Sequence, residues 1–309
     1  MEAQTLRVSV VGFGDVGATL AYLLINSHDV NIHLNIMDPS PLIEGRLLDM
    51  AHALALDHRH IITLNDKNAL QQADFIFMAA GYRNAPGASR LSVAKQNIGL
   101  TREIFTGLKW ASNPMVVVLT NPVEIVCHHL HVVSGIPSRQ IAGTGTLLDS
   151  VRLAYYLAQS LNVKPKDVEA WILGEHGASM VPVFSQTKVN GIPVHEFPLV
   201  TRQLLDKCME ETLQAANTIR RTQGSTYYGV AQCASQVFHA IRKDQPIRVP
   251  LSVAVDEQHM HMLRCNPNLF ISLPVTVDRN GWTLHGDFNL TREETEGLKR
   301  SAQVIAGYL

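Results

Sequence analysis

Leu6-Arg7-Val8-Ser9-Val10-Val11-Gly12-Phe13-Gly14-Asp15-Val16-Gly17 is an apolar, β-branched run that breaks into a G-x-G-x-x-G turn. The run predicts a buried strand, and Val16 to Ser27 predicts the helix that follows. Each glycine has its own use at such a turn. Gly12 permits the tight bend, Gly14 the close approach of a pyrophosphate, and Gly17 the packing of helix on strand. Phosphates are favoured at a helix N-terminus by its N–H groups and dipole. Asp15 is read as a helix cap, not a ligand contact. Asn31 to Met37 predicts a second strand that ends on Asp38. An acid at that point can bond a ribose hydroxyl and would repel a 2′-phosphate. The expected cofactor is NAD, not NADP; S-adenosylmethionine, whose sites also use an acid after the second strand, is the alternative.

Outward from this turn the alternation continues. Phe75 to Ala80 and Met115 to Thr120 read as buried strands; Leu91 to Trp110 and Val123 to Val133 read as helices. Fully apolar strands in a βαβ rhythm call for a parallel sheet covered on both faces. Beyond Gly143 the rhythm changes. Leu147 to Leu161 and Thr201 to Arg221 predict helices, with short strand-like pieces between them and strands at Val249 to Val255 and Leu269 to Val277. Asn190-Gly191 and Asp278-Arg279-Asn280-Gly281 predict hairpin turns. Thr291, with Glu294 three residues on, predicts a capped final helix. The fold class is therefore α/β: a Rossmann-type doubly wound parallel sheet over residues 1–143, followed by a mixed α+β substrate domain over 144–309.

Composition excludes several classes. The chain has 309 residues and a net charge of −1, so neither nucleic acid nor an anionic membrane is an expected partner. No apolar run approaches the ~20 residues that span a bilayer. The N-terminus has no basic region followed by an apolar core, and Cys127, Cys208, Cys233 and Cys265 are scattered, which points to reduced thiols in a cytoplasm. Cys127-His128-His129-Leu130-His131 has metal-binding residue types without the geometry. Adjacent residues on a helix point in different directions, so no metal is expected.

The chemistry concentrates in two later stretches. Leu148-Asp149-Ser150-Val151-Arg152 puts an acid and an arginine one helical turn apart. Gly174-Glu175-His176-Gly177 puts a histidine between glycines just after the strand-like run Val168 to Leu173. An acid that orients a histidine, and an arginine that grips a carboxylate, suffice for proton transfer to a 2-oxo acid. The loop Gly81 to Leu91 has the composition of a lid.

Taken with Thr120-Asn121-Pro122-Val123 and Gly143-Thr144-Gly145-Thr146-Leu147, these motifs resemble the lactate/malate dehydrogenase family over nearly the whole chain. Within it the Gly143 to Arg152 block is similar to L-2-hydroxyisocaproate-type enzymes. The resemblance implies roles for residues here. His176 is the acid/base and Asp149 its orienting acid; Arg152 binds the substrate carboxylate and Arg90, on the loop, polarises the ketone. Asn121 bonds substrate or nicotinamide ribose, and Thr226 lines the substrate pocket. The residue six before the loop arginine faces the variable end of the substrate; here it is Asn84. Glutamine there goes with lactate and arginine with malate enzymes, so neutral Asn84 implies pyruvate or a longer neutral 2-oxo acid, because an unpaired second carboxylate would be costly to bury. Arg83 sits one position away. Ala154 and Glu169 replace the arginine and histidine of enzymes activated by fructose-1,6-bisphosphate, so no such activation is expected. Ala178 stands where the family usually has an acid. A homodimer or homotetramer is implied. Malate dehydrogenase, a catalytically silent NAD-binding regulator and an NAD- and metal-using glycosidase relative are the alternatives.

Overall fold

The computed structural model describes residues 5–27, 29–55, 60–82, 90–286 and 288–309, with the backbone alone for 90–92. Thr5–Val11 (β1), Asn31–Met37 (β2), Ile61–Leu64 (β3), Phe75–Met78 (β4), Met115–Val118 (β5) and Ile141–Gly143 (β6) run parallel in the order β3-β2-β1-β4-β5-β6. β4 and β5 are buried at every position, as a parallel sheet covered on both faces requires. The crossovers carry Asp15–Ile25 (α1), Glu44–Leu54 (α2), Lys67–Gln71 (α3), Arg90–Phe105 (α4) and Val123–Ser134 (α5). From β1 the order runs one way to β2 and the other way to β4, so a crevice opens at their carboxyl ends.

After β6 come Leu147–Leu161 (α6), with the predicted bounds, and the short strands Val168–Glu169 (β7), Ile172–Leu173 (β8), Val181–Pro182 (β9), Lys188–Val189 (β10) and Ile192–Pro193 (β11). Asn190 and Gly191 take φ of 54° and 78° between β10 and β11, the left-handed pair that the hairpin signal demands. Arg202–Gln223 (α7), Tyr228–Lys243 (α8), Ile247–Ala254 (β12), Glu257–Leu263 (α9), Phe270–Asp278 (β13), Gly281–Leu284 (β14) and Arg292–Ala306 (α10) complete the chain. Thr291 and Glu294 form the expected reciprocal capping box on α10.

The sheet runs through the expected boundary at 143/144. Ser252 of β12 pairs with Gly143, and β12, β13 and β14 extend the sheet antiparallel to nine strands. The core is shared as well. Phe238 of α8 packs edge-on against Phe75 of β4, with ring centroids 5.0 Å apart. Among the elements not anticipated, β3, α2 and α8 each have a physical reason. β3 is a half-exposed edge strand with little pattern to read. α2 buries only Met50 among its eleven residues. α8 opens at Tyr227 without a side-chain cap.

Candidate active site

The glycine turn behaves as its sequence requires. Gly12 takes φ of 93°, and a Cβ there would strike the Ala80 backbone at the end of β4. A Cβ on Gly17 would strike the Gly12 carbonyl, while one on Gly14 meets nothing within 4 Å. The turn is therefore closed on the protein side and open where a pyrophosphate would approach, and Gly14, the N-cap of α1, offers no side-chain cap. That fits a dinucleotide. The Asp38 carboxylate accepts the Phe13 N–H at 2.7 Å and the Ser40 N–H at 2.9 Å, so it also staples the turn to the end of β2. Asp15 is not the helix cap expected of it. It binds Arg46 at 2.6 Å, and its other oxygen accepts from Ser225 Oγ at 2.6 Å, tying the turn to the α7–α8 loop.

α6 presents Asp149 and Arg152 on one face. The Asp149 carboxylate is 2% exposed and uses both oxygens: Oδ2 lies 2.6 Å from His176 Nδ1, and Oδ1 accepts from Arg152 Nη1 at 3.2 Å. This is no surface ion pair, since the Arg152 side chain is only 12% exposed. His176 reaches the acid because Gly174, at φ 96°, turns the chain out of β8 while exchanging backbone bonds with Ser272 of β13. Burial by itself would push the Asp149 carboxyl up and the imidazole down. The pairing prevails: His176 and Arg152 hold Asp149 below its ordinary 3.8. Asp149, with the charge of Glu124, holds His176 above its ordinary 6.5 while Arg152 opposes.

The other predicted residues divide. Asn121 is exposed at the carboxyl end of β5, before a cis Pro122, and its carbonyl accepts from Asn97 at 2.6 Å. Thr226 is partly buried in the α7–α8 loop. Its neighbour Ser225 touches Asp15, and a side chain at Gly229 in the first turn of α8 would meet Leu148 beside Asp149, so the loop and the start of α8 link the cofactor turn to α6. Asn84 lies outside the described residues, as does the Arg90 side chain; Arg90 itself opens α4. Among the described residues no group of three or more His, Cys, Asp or Glu gathers as a metal site, and no helix is long and apolar enough to cross a membrane.

Two residues escaped the sequence reading. Buried Asn97 accepts the Tyr82 N–H at 2.7 Å while holding Asn121, so it ties the base of the loop to β5. Buried Glu124 accepts the His176 N–H at 3.0 Å. Neither had a local signal, since each acts on a residue far away in the chain.

A dinucleotide turn together with an acid-oriented histidine and a largely buried arginine is the chemistry of a nicotinamide-linked dehydrogenase site. Residues 6–143 match the lactate/malate dehydrogenase NAD binding domain, and residues 146–306 match the alpha/beta C-terminal domain of the same enzymes. A malate dehydrogenase of Chlorobium chlorochromatii is 30% identical, covering 97% of this chain and 96% of that one. An L-lactate dehydrogenase of Thermoanaerobacter sp. strain X514 is 31% identical, with the same coverage of 97% and 96%. The solved minor L-lactate dehydrogenase of Enterococcus mundtii superposes with a TM-score of 0.88 at 28% identity, covering 99% of this chain and 97% of that one. The chain belongs to the lactate/malate dehydrogenase family, whose members are NAD-dependent 2-hydroxy acid dehydrogenases.

Proposed function

We propose that the chain is an L-2-hydroxy acid dehydrogenase of the lactate type, reversibly reducing pyruvate or a longer neutral 2-oxo acid such as 2-oxoisocaproate. The observation that carries the chemistry is the buried Asp149 carboxylate bridging His176 and Arg152. NADH, when bound at Gly12, Gly14, Gly17 and Asp38, supplies the hydride. Protonated His176 donates from Nε2 to the ketone oxygen, because Asp149 already engages Nδ1. Arg152 turns its remaining N–H groups to the substrate carboxylate. Arg90 polarises the carbonyl once water is excluded. Asn121 orients substrate or nicotinamide ribose, and Thr226 borders the substrate from the α7–α8 loop. Residues 1–143 act as the cofactor unit and 144–309 as the substrate unit.

The choice of substrate rests on Asn84, six positions before Arg90. The malate reading is supported by the malate dehydrogenase at 30% identity and by Arg83 beside Asn84. Steady-state kinetics with pyruvate, 2-oxoisocaproate and oxaloacetate separate the two, and a preference for oxaloacetate overturns the lactate-type reading. Asn84→Arg is expected to raise the oxaloacetate-to-pyruvate ratio; an unchanged ratio shows that residue 84 does not face the substrate. We expect no stimulation by fructose-1,6-bisphosphate in an activity titration. Glu169 binds the Trp171 indole and would repel that ligand's charge. The enzyme is proposed to be cytoplasmic, in keeping with four free thiols. A homodimer or homotetramer through helix faces is supported by exposed Leu42, Leu48, Val151 and Tyr155, and light scattering reads the mass.

A further inference from the structure

Resting on that assignment of His176, we propose that Glu124 is a positioning residue for it: a second carboxylate, behind the ring, that fixes the His176 backbone and favours the protonated imidazole. Four observations support this. Glu124 is 2% exposed, in the first turn of α5, directly after the Asn121-Pro122-Val123 motif. Its Oε1 accepts the His176 N–H at 3.0 Å and the Ser252 hydroxyl at 2.8 Å. Ser252 in turn contacts Ser272 Oγ at 2.9 Å, and Ser272 Oγ accepts the Thr146 N–H at 3.1 Å, at the entrance to α6. The carboxylate thus sits where α5, β12, β13, α6 and the His176 turn meet. Finally, Glu124 lines a small pocket of about 10 Å³ together with Pro122, Glu175 and Tyr308.

Asp149 and Glu124 divide the work. Asp149 binds the ring nitrogen and sets the tautomer; Glu124 binds the backbone and sets where the ring stands. Both charges favour imidazolium, and Arg152 opposes them. Burial raises the Glu124 carboxyl above its ordinary 4.5, and the His176 charge, the Ser252 hydroxyl and backbone N–H groups offset only part of this. Among the described residues, the other titratable groups beside it are Cys127 on its own helix, held as a thiol by burial and by the Glu124 charge, and Glu175 and Tyr308, which line the same pocket.

The test uses the whole chain and Glu124→Gln, which keeps an oxygen for both hydrogen bonds but removes the charge. The His176 ring is titrated by NMR, its signal identified by its loss in His176→Asn. The midpoint is expected to fall by on the order of one pH unit. The alkaline limb of kcat/KM for 2-oxo acid reduction is expected to fall with it. Glu124→Asp keeps the charge but withdraws it from the backbone, so the midpoint stays near that of the parent while kcat falls. An unmoved midpoint in Glu124→Gln overturns the proposal. If that variant does not fold, Glu124→Asp with unaltered kcat does the same. The titration reads His176 without any substrate. Failure of the dehydrogenase assignment would appear separately, as no NADH oxidation by the parent with any 2-oxo acid.

Discussion

The Gly12–Gly17 turn and the Asp149–Arg152–His176 set are built in opposite ways. The turn is consecutive backbone. Its tolerance is decided by hard contacts, with Ala80 against Gly12 and the Gly12 carbonyl against Gly17. The proton-transfer set is made of side chains from α6 and from the turn after β8, and it is held by charges that burial opposes. A backbone cradle is specified by steric exclusion over a few neighbours. A buried charge cluster is specified by its partners, so removing one leaves another uncompensated.

The sharpest break between the two regions is His176→Ala. Turnover should fall by at least roughly 10²-fold, the scale of acid–base catalysis, while NADH affinity by fluorescence titration stays unchanged. A loss of NADH binding instead would mean the two regions are one unit. Next is Arg152→Lys, which keeps the charge but not the fork. Replacing a charge-assisted pair at this site should lower kcat/KM for the 2-oxo acid by roughly 10–100-fold, again without effect on NADH. In the turn the split runs between two glycines. Gly14→Val should weaken NADH by roughly tenfold, about 1.4 kcal/mol, and leave thermal stability nearly intact, because the added side chain enters open space. Gly12→Ala should destabilise the fold by more than about 1 kcal/mol, through its φ of 93° and the clash with Ala80. Equal melting temperatures for the pair would contradict the steric account.

The smallest effect is on pH. His176 is held above 6.5 in the folded chain, so the imidazolium needed for reduction persists above that value. kcat/KM for reduction should fall as pH rises through the raised midpoint, and oxidation of the hydroxy acid should gain there. The stability that the pairing lends through His176 is present below 6.5 and is lost as pH rises through the folded-state value. Asp149, held below 3.8, contributes above that value and loses its contribution as pH falls through the lowered one. A reduction profile whose alkaline limb lies below 6.5 would contradict the pairing.

Much of this is legible in the sequence alone. The βαβ rhythm, the three glycines, Asp38 and the α6 pair at i and i+3 depend on period and spacing, which a chain carries locally. Asp15 shows where such reading stops. Its place at a helix start suggested a cap, but Arg46 and Ser225 claim its carboxylate from other elements. Asn97 and Glu124 were invisible for the same reason: an asparagine in an α4 pattern and a glutamate in an α5 first turn look like solvated residues. The change of rhythm near 143 did not say that later strands rejoin the earlier sheet.

By itself the sequence determined the strand–turn–helix at Gly12, the spacing of Asp149 and Arg152, and the kinds of group the reaction needs. These follow from backbone sterics and helical periodicity between near neighbours. Only the tertiary structure decided that Asp149 is buried between His176 and Arg152, that β12 closes onto β6, and that Glu124 stands under a histidine 52 positions away. Burial and electrostatic partnership are properties of packed elements, and no local pattern encodes which elements will meet.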